Sequence, residues 1–303
     1  METIDIVLAT YNGEKYLPEQ LDSLLAQTYT DLRILVFDDG STDETLSILS
    51  DYAARYENIT VYKNKRNLGY TKNFLHGVKY TTADFVMFCD QDDIWNPDKV
   101  ERTYSVMKNE KTVGTKPVLV FTDAEIYDGR MRKKRSFQKT THLNSKKVDL
   151  SHILMENKCM GCTAMVNRAL IEKIERIPSD IRYHDWWMML IAAAFGKIIY
   201  LDEMTLRYRQ HGDNEVGGAG FAAQVKNRLG SVSRQRRAVR ETYRQGRVFY
   251  LLYMETMPDR ERKTAEAFAG MERSSWMTRR VTALRYGFLK SGIVRNIGLL
   301  LLM

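Results

Sequence analysis

The sequence predicts an α/β protein, with a mostly parallel β-sheet flanked by α-helices and a helical extension at its C-terminal end. Over residues 4–89, short apolar segments typical of buried strands alternate with segments whose apolar residues recur at helical spacing. Three polar clusters directly follow three of these strands. Beyond about residue 217 only the helical pattern continues. Such alternation is typical of a parallel sheet covered by helices.

Each predicted element follows from its own pattern. Residues 4–9 form an apolar run interrupted only by Asp5, which predicts the first strand. Leu17, Leu21 and Leu24 then recur at helical spacing and predict a helix over 17–27. The same reasoning gives strands at 32–37, 58–62, 85–89, 118–123 and 197–201, and helices at 43–55, 70–80 and 184–196. Residues 128–147 are polar and basic, and a loop with weak helical content is expected there.

Charge divides the chain into two predicted domains, a catalytic domain over 1–220 and a basic amphipathic helical extension over 221–303. The net charge is +8, and residues 221–303 hold 17 Lys and Arg against 6 Asp and Glu. Helices with basic and apolar faces can lie on anionic lipid, so a membrane surface is an expected partner. The alternative is that these helices pack against the catalytic domain or against a second copy in a homodimer.

Composition excludes several classes of protein. With 303 residues and 44% hydrophobic residues, the chain can bury a substantial core, so disorder is not expected. Its three cysteines, Cys89, Cys159 and Cys162, suggest no disulfide framework and are expected to be unreactive packing thiols. No signal peptide pattern opens the sequence, and no apolar run approaches the ~20 residues of a membrane span. A cytoplasmic protein, peripheral at the inner face of the plasma membrane, is therefore expected.

Acidic residues at the end of the 85–89 strand suggest a metal site. Asp90 and Asp92 stand at i and i+2, where the chain turns and both carboxylates can reach one hard cation. Such a cation would keep positions open for phosphate oxygens. Asp93 is a further candidate ligand or supporting residue. The alternative is a solvated acidic turn.

The cluster DDGSTD, residues 38–43, follows the second strand and has two interpretations. Ser41 or Thr42 can cap the next helix, with Asp43 near its positive end. Capping leaves unexplained the adjacent acids Asp38 and Asp39, one of which would suit hydrogen bonding to a base or ribose.

Together, ATYNG, DDGSTD, RNLGYTKN and DQDD, in this order and spacing, closely resemble the family 2 inverting glycosyltransferases of the GT-A fold. The resemblance extends into HDWW and YRQHGDN and covers roughly residues 4–216. The FTD strand, the HDW segment and YRQH resemble the corresponding segments of bacterial rhamnosyltransferases of surface polysaccharide synthesis. The family resemblance implies a nucleoside-diphosphate sugar donor, either dTDP or UDP, and a Mn²⁺ or Mg²⁺ ion. The implied donor-binding residues are Thr10, Tyr11, Asn12, Asp39, Asn73, Asp90 and Gln91, and the implied metal ligands are Asp92 and His211.

The base of an inverting transfer removes the proton of the acceptor hydroxyl, and Asp185 is the candidate. It opens an apolar helix, and an aromatic setting can raise the pKa of a carboxyl group. The resemblance favours this role over a simple helix cap. His184, where many members of the family have Glu, is expected to contact the acceptor or to orient the base, the alternative being an ordinary surface histidine. Trp186 is expected to contact the acceptor, the alternative being a place in the core. Arg207 and Arg209 are expected to offset diphosphate charge.

The predicted function is metal-dependent transfer of a sugar, L-rhamnose from dTDP-rhamnose by first choice, to a growing, lipid-linked bacterial polysaccharide. A UDP-hexose or UDP-N-acetylhexosamine transferase of the same family is the alternative. A sugar-nucleotide nucleotidyltransferase would need a glycine-rich, basic triphosphate loop after the first strand, and ATYNGEKY is not one. Nucleic acid is not an expected partner, because only the basic tail would favour it.

Overall fold

A computed structural model describes residues 2–127, 133–174, 178, 181–210 and 232–303. The chain divides into two compact units. Unit 1 comprises Met1–Phe137, Cys159–Ile177 and Lys197–Arg209, and unit 2 comprises Gln138–Lys158, Pro178–Gly196 and Gln210–Met303.

Unit 1 contains a mixed β-sheet. Its strands are β1 (Ile4–Thr10), β2 (Leu32–Asp38), β3 (Ile59–Lys63), β4 (Phe85–Asp90), β5 (Ile94–Trp95), β6 (Val118–Tyr127), β7 (Lys133–Ser136), β8 (Ala164–Asn167) and β9 (Lys197–Arg209). They lie in the order β3-β2-β1-β4-β8-β6-β9-β5, with β7 beside β6. The pairs among β1 to β4 are parallel, as predicted. Because β8 runs antiparallel to both β4 and β6, the remainder of the sheet is mixed.

Burial explains why these segments are strands. Ile4, Ile6, Val7 and Leu8 of β1 are fully buried, which is the pattern of a central strand covered on both faces. The helices of this unit are α1 (Leu17–Leu25), α2 (Thr45–Arg55), α3 (Tyr70–Gly77), α4 (Lys99–Lys108) and α7 (Arg168–Glu172). Gly77 ends α3 against the sheet, where a Cβ would lie 2.7 Å from Val7 Cγ1. Glycine there allows close helix-to-sheet packing.

Unit 2 is helical. Its helices are α5 (Phe137–Thr141), α6 (Leu150–Met155), α8 (His184–Phe195), α9 (Val232–Tyr253), α10 (Asp259–Gly270), α11 (Trp276–Tyr286) and α12 (Ile293–Leu302). The first residue of α5, Phe137, is the last residue of a segment of unit 1. The apolar α8 is buried on nearly all sides, and Trp187 meets Phe249 of α9 edge to face. Among the helices that the structure describes, none is long and apolar enough to cross a membrane.

Three predicted stretches differ from the structure. The stretch 128–147, expected to be a loop with weak helical content, contains the short helix α5 but also the strand β7, because Glu125 and Ile126 of β6 provide a strand edge for pairing. The strand predicted at 197–201 continues to Arg209 because it pairs along the length of β6. Ser41 and Thr42 do not cap α2, which begins at Thr45 without a side-chain cap. The predicted boundary near 220 lies outside the described residues.

Candidate functional site

The candidate site lies at the carboxyl ends of β1, β2 and β4, which are neighbours in the sheet with β1 in the middle. Thr10 is level with Asp38, and Ala9 is level with Asp90. Three loops, distant in sequence, therefore begin at one sheet edge, as predicted. Ligands of α/β sheets gather at such edges.

The loops after β1 and β4 are joined by Gln91. Its side-chain Oε1 accepts a hydrogen bond from Tyr11 N at 2.8 Å, and its Nε2 donates to Tyr11 O at 3.0 Å. The Tyr11 ring is 48% exposed. The Gln91 amide thus fixes the main chain that carries this ring, and the ring itself is left accessible to a ligand.

The loops after β1 and β2 are joined by Asn12. Its Oδ1 accepts from Thr42 N, and its own N–H donates to Ser41 Oγ, both at 2.9 Å. Asn12 has φ of 47°, in the left-handed region where Asn is among the better tolerated residues. Asp38 supports the same turn by accepting from Thr10 Oγ1 and from Ser41. Asp38, at the end of the second strand, therefore organises the turn that follows it.

Asp39 holds a third segment, the RNLG part of RNLGYTKN. Its carboxylate accepts from Leu68 N at 2.8 Å, Gly69 N at 2.9 Å and Asn64 Nδ2 at 2.8 Å. Asn73 is 1% exposed and accepts from Asn64 while donating to Phe37 O. Asp39 and Asn73 are thus brought together through Asn64, a residue that the sequence analysis missed because a lone Asn carries no pattern.

A group of possible metal ligands is formed by Asp90, Asp93 and Cys162, whose ligand atoms lie within 4.8 Å of one another. Asp93 is fully buried, and its Oδ2 has no hydrogen-bond partner in the described part of the chain. Burial and the charges of Asp92 and Asp90 raise the pKa of Asp93 well above its usual range. Burial likewise raises the pKa of the Cys162 thiol.

This chemistry fits a hard divalent cation held by the two carboxylates. Mn²⁺ and Mg²⁺ prefer oxygen ligands, and a neutral, buried thiol is a poor ligand for either. The orphaned Oδ2 of Asp93 would gain a partner. Asp92, 9% exposed, lies outside this group. His211 lies outside the described residues.

Arg209, at the end of β9, holds the DQDD loop through hydrogen bonds. Its Nε donates to Asp92 O at 3.1 Å, its main-chain N–H donates to Asp93 Oδ1, and its guanidinium pairs with Glu19 of α1. The side chain is buried, and the guanidinium lies 4.7 Å from the Tyr16 ring centroid. The predicted interaction with diphosphate was based on charge alone and missed this positioning role.

In unit 2, the predicted base and acceptor residues lie together in the first turn of α8. Asp185 is 8% exposed, and its Oδ1 accepts from Trp186 N at 2.6 Å. Trp186 is 4% exposed and donates Nε1 to Ile153 O. His184 is equally buried, and burial lowers its pKa to about 3, so its imidazole is neutral at physiological pH. The acceptor contacts of His184 and Trp186 stay predictions, and both side chains are part of a packed interior here.

Sequence comparison identifies relatives of the chain. Residues 5–175 match the family model described as glycosyl transferase family 2. A dTDP-rhamnosyl transferase of Shigella flexneri is 31% identical over 249 residues, which cover 74% of this chain and 78% of that protein. An uncharacterized glycosyltransferase of Rickettsia typhi is 26% identical over 210 residues, covering 69% of this chain and 64% of its own length.

Solved structures share the fold. S. aureus TarS in complex with UDP has a TM-score of 0.60 at 18% identity, covering 89% of this chain and 70% of that one. A mannosyltransferase from Pyrobaculum calidifontis in complex with GDP-Man and Mn²⁺ has a TM-score of 0.55 at 16% identity, covering 93% and 73%. The predicted GT-A fold is confirmed.

Proposed function

Because the chain belongs to glycosyl transferase family 2 and is a glycosyltransferase, we propose that it transfers L-rhamnose from dTDP-rhamnose to a growing bacterial polysaccharide. The Shigella relative, named as a dTDP-rhamnosyl transferase, supports this donor. Transfer from a UDP-hexose or UDP-N-acetylhexosamine is the second candidate, supported by the TarS structures with UDP and UDP-GlcNAc.

The observation that carries the proposal is the interlocking of the loops after β1, β2 and β4. Gln91 fixes Tyr11, Asn12 fixes the turn after Asp38, and Asp39 fixes the main chain at Leu68 and Gly69. In the proposed complex, Thr10, Tyr11 and Asn12 line the nucleoside pocket, and Asp39 contacts the nucleobase. Asn73, Asp90 and Gln91 complete the donor site. Loops that these hydrogen bonds already order lose less entropy when a donor binds.

A divalent cation, Mn²⁺ or Mg²⁺, is proposed at the acidic end of β4. Asp92 is the proposed ligand from the DQDD motif, with His211 as a further ligand and the carboxylates of Asp90 and Asp93 within reach of one ion. When bound, the cation supplies positive charge against the departing nucleoside diphosphate. Arg209 holds the loop that carries these carboxylates.

Asp185 is proposed as the general base. Its carboxylate takes the proton of the acceptor hydroxyl while that oxygen bonds to the anomeric carbon and the nucleoside diphosphate leaves from the opposite face. This single displacement inverts the anomeric configuration. His184 and Trp186, its neighbours on α8, are proposed to shape the acceptor side. The proposed acceptor is lipid-linked, which places the enzyme at the inner face of the plasma membrane, and a homodimer is compatible with this location.

A thermal-shift screen of nucleotide sugars with and without Mn²⁺ tests the donor. We expect dTDP-rhamnose to raise the melting temperature in an Mn²⁺-dependent way, because a ligand stabilises the state to which it binds. A larger shift with UDP-GlcNAc would replace rhamnose with the second candidate. Stabilisation by no nucleotide sugar at all would contradict the proposal.

Two variants separate the proposed roles. Asp92→Asn should lose Mn²⁺-dependent donor binding, whereas Asp185→Asn should bind donor normally and fail to transfer sugar. Asp84→Asn is the matched control, since Asp84 is exposed and lies outside the site. Equal loss of donor binding in Asp92→Asn and Asp185→Asn would overturn this division. Release of pyrophosphate from a nucleoside triphosphate and a sugar phosphate would instead indicate a nucleotidyltransferase.

A further inference from the structure

Helix α12 of unit 2 presents large apolar side chains to solvent. Ile293 is 80% exposed, Val294 82% and Leu301 72%, and Ile297 is also exposed. Their spacing of i, i+1, i+4 and i+8 places all four on one side of the helix. Solvent exposure of this much apolar surface is unfavourable for an isolated soluble protein and indicates a partner.

Helix α11 carries a second set of the same kind. Trp276, Met277, Val281 and Leu284 are all about 60% exposed, and the last three recur at i, i+4 and i+7. We call the exposed apolar residues of α11 and α12 the apolar surface. Arg280 links the two helices, because its guanidinium donates to Trp276 O at 2.7 Å and to Met303 O at 3.2 Å.

A basic cavity of about 240 Å³ adjoins the apolar surface and shares Trp276 and Leu301 with it. Arg236, Arg240 and Arg279 line the cavity. Arg236 and Arg240 are exposed and form no ion pair with any residue that the structure describes. Several guanidinium groups around one small cavity repel one another unless an anion lies among them.

Tyr243 lines the same cavity and supplies an independent indication of a ligand. The residue is 2% exposed, and its hydroxyl is buried without a hydrogen-bond partner among the described residues. A buried hydroxyl without a partner costs free energy that a ligand acceptor would recover. Burial raises the pKa of Tyr243 to about 12, so the hydroxyl keeps its proton and can donate it in a hydrogen bond.

We propose that the apolar surface docks on an anionic phospholipid bilayer, with a lipid phosphate in the cavity lined by Arg236, Arg240 and Tyr243. The phosphate oxygens accept from the guanidinium groups and the hydroxyl, while the side chains of α11 and α12 enter the acyl boundary. The inference rests on the proposed membrane location. A second copy fits this surface less well, because a two-fold contact would place the same arginines near one another.

Vesicle flotation of the full chain, without donor or acceptor, tests the docking. We expect recovery with phosphatidylglycerol-containing vesicles, little recovery with pure phosphatidylcholine, and weakening at high salt. Equal recovery with both vesicles, or with neither, would overturn the proposal. Since no nucleotide sugar is present, failure here leaves the donor thermal shift intact, and a failed donor screen leaves flotation intact.

Variants of the cavity test the phosphate contact. Arg236→Gln/Arg240→Gln should weaken binding to anionic vesicles roughly tenfold or more, and Tyr243→Phe should weaken it about threefold to tenfold. The matched control is Arg260→Gln/Lys263→Gln on α10, which removes two exposed positive charges that lie away from the cavity and form no ion pair with any described residue. Equal weakening by both double variants would mean that net charge alone drives binding and would overturn the phosphate site.

Variants of the apolar surface test insertion. Val294→Ser/Ile297→Ser should lower vesicle binding about tenfold or more, because two apolar side chains that the bilayer would bury are lost. Met204→Ser, an exposed methionine of unit 1, is the control. Both variants should keep the wild-type melting temperature, since the changed side chains are exposed. A lipid-independent dimer that Val294→Ser/Ile297→Ser dissociates would assign the surface to a second copy and overturn the proposal.

Discussion

The side-chain amide of Gln91 pairs with both main-chain polar groups of Tyr11, at 2.8 and 3.0 Å. Eighty positions separate the two residues in sequence. The pairing requires Gly13, because a Cβ at that position would lie 2.2 Å from Gln91 Oε1. The glycine of ATYNG therefore makes room for the side chain that orders the exposed Tyr11 ring.

Gly13→Ala should weaken donor binding about tenfold, which corresponds to the loss of two hydrogen bonds at about 1 kcal/mol each with partial recovery by water. The displaced atom is the end of a flexible side chain, so the melting temperature should change little. Isothermal titration with the donor and thermal unfolding measure the two effects.

A double-mutant cycle with Gln91→Ala checks the cause. If Gly13→Ala acts by displacing Gln91, the double variant should bind donor no more weakly than the worse single variant. Additive losses would mean that Gly13 acts through some other contact.

Asp39→Asn should destabilise unit 1 by about 2 kcal/mol. The carboxylate accepts from two main-chain N–H groups and from Asn64, and the amide replaces one acceptor oxygen with a donor that faces donors. Chemical unfolding measures the loss, with exposed Asp84→Asn as control. Unchanged stability would show that these hydrogen bonds do not order the 64–69 segment.

The sheet edge could be predicted from sequence because β1, β2 and β4 are apolar runs that end in polar clusters. What the sequence could not give is how those clusters interlock. Gln91 was predicted to bind donor, which stays a prediction, and nothing in the sequence indicated that its amide would also hold the main chain of Tyr11. Such pairings depend on side-chain directions that only the folded chain defines.

The mixed part of the sheet was predicted less well, because it depends on pairing between strands that are distant in sequence. β8 is four residues long, and its antiparallel pairing with β4 and β6 has no local signal. The position of Cys162 likewise had no local signal. Its sequence pattern suggested a packing thiol, and only the fold places it near Asp93.

Asp93→Asn should lower Mn²⁺ affinity at least tenfold, since it removes one carboxylate from the pair that fits a divalent cation. Cys162→Ser is the matched control and should bind Mn²⁺ normally, because a neutral thiol contributes little to a hard ion. Paramagnetic resonance titration of free Mn²⁺ gives both affinities. Wild-type affinity in Asp93→Asn would place the ion at Asp92 and away from Asp93.

In the wild type, the free energy of unfolding should rise with pH above about 8 because of Lys99, and Lys99→Met should remove this rise. Lys99 is fully buried, donates to Thr205 Oγ1 at 3.2 Å, and has its pKa lowered by burial from 10.5 to about 8. Between these values the unfolded chain binds a proton that the folded chain lacks, so stability rises with pH. Across that window the wild type should gain on the order of 3 kcal/mol relative to Lys99→Met.

Urea unfolding at several pH values from 7 to about 10 measures this difference. Comparison with the variant cancels the groups whose titration does not depend on Lys99. Parallel pH profiles for wild type and Lys99→Met would contradict a lowered pKa at Lys99.

Glu156→Gln should destabilise unit 2 by about 3 kcal/mol, because it leaves buried Lys158 without its anionic partner. Glu156 is 5% exposed, pairs also with Arg295, and accepts from Ser291 N at 2.9 Å and Ser291 Oγ at 2.6 Å. It thereby ties the start of α12 to the segment before Cys159. The melting temperature should fall by roughly 5 to 10 °C.

A second change tests whether the unpaired cation is the cause. Glu156→Gln/Lys158→Met should recover much of the lost stability, since no buried charge is left without a partner. Asp259→Asn, which removes an exposed ion pair with Arg262, is the control and should leave the melting temperature unchanged. If the double variant is less stable than Glu156→Gln alone, the Ser291 hydrogen bonds, and not the Lys158 charge, account for the stability that Glu156 provides.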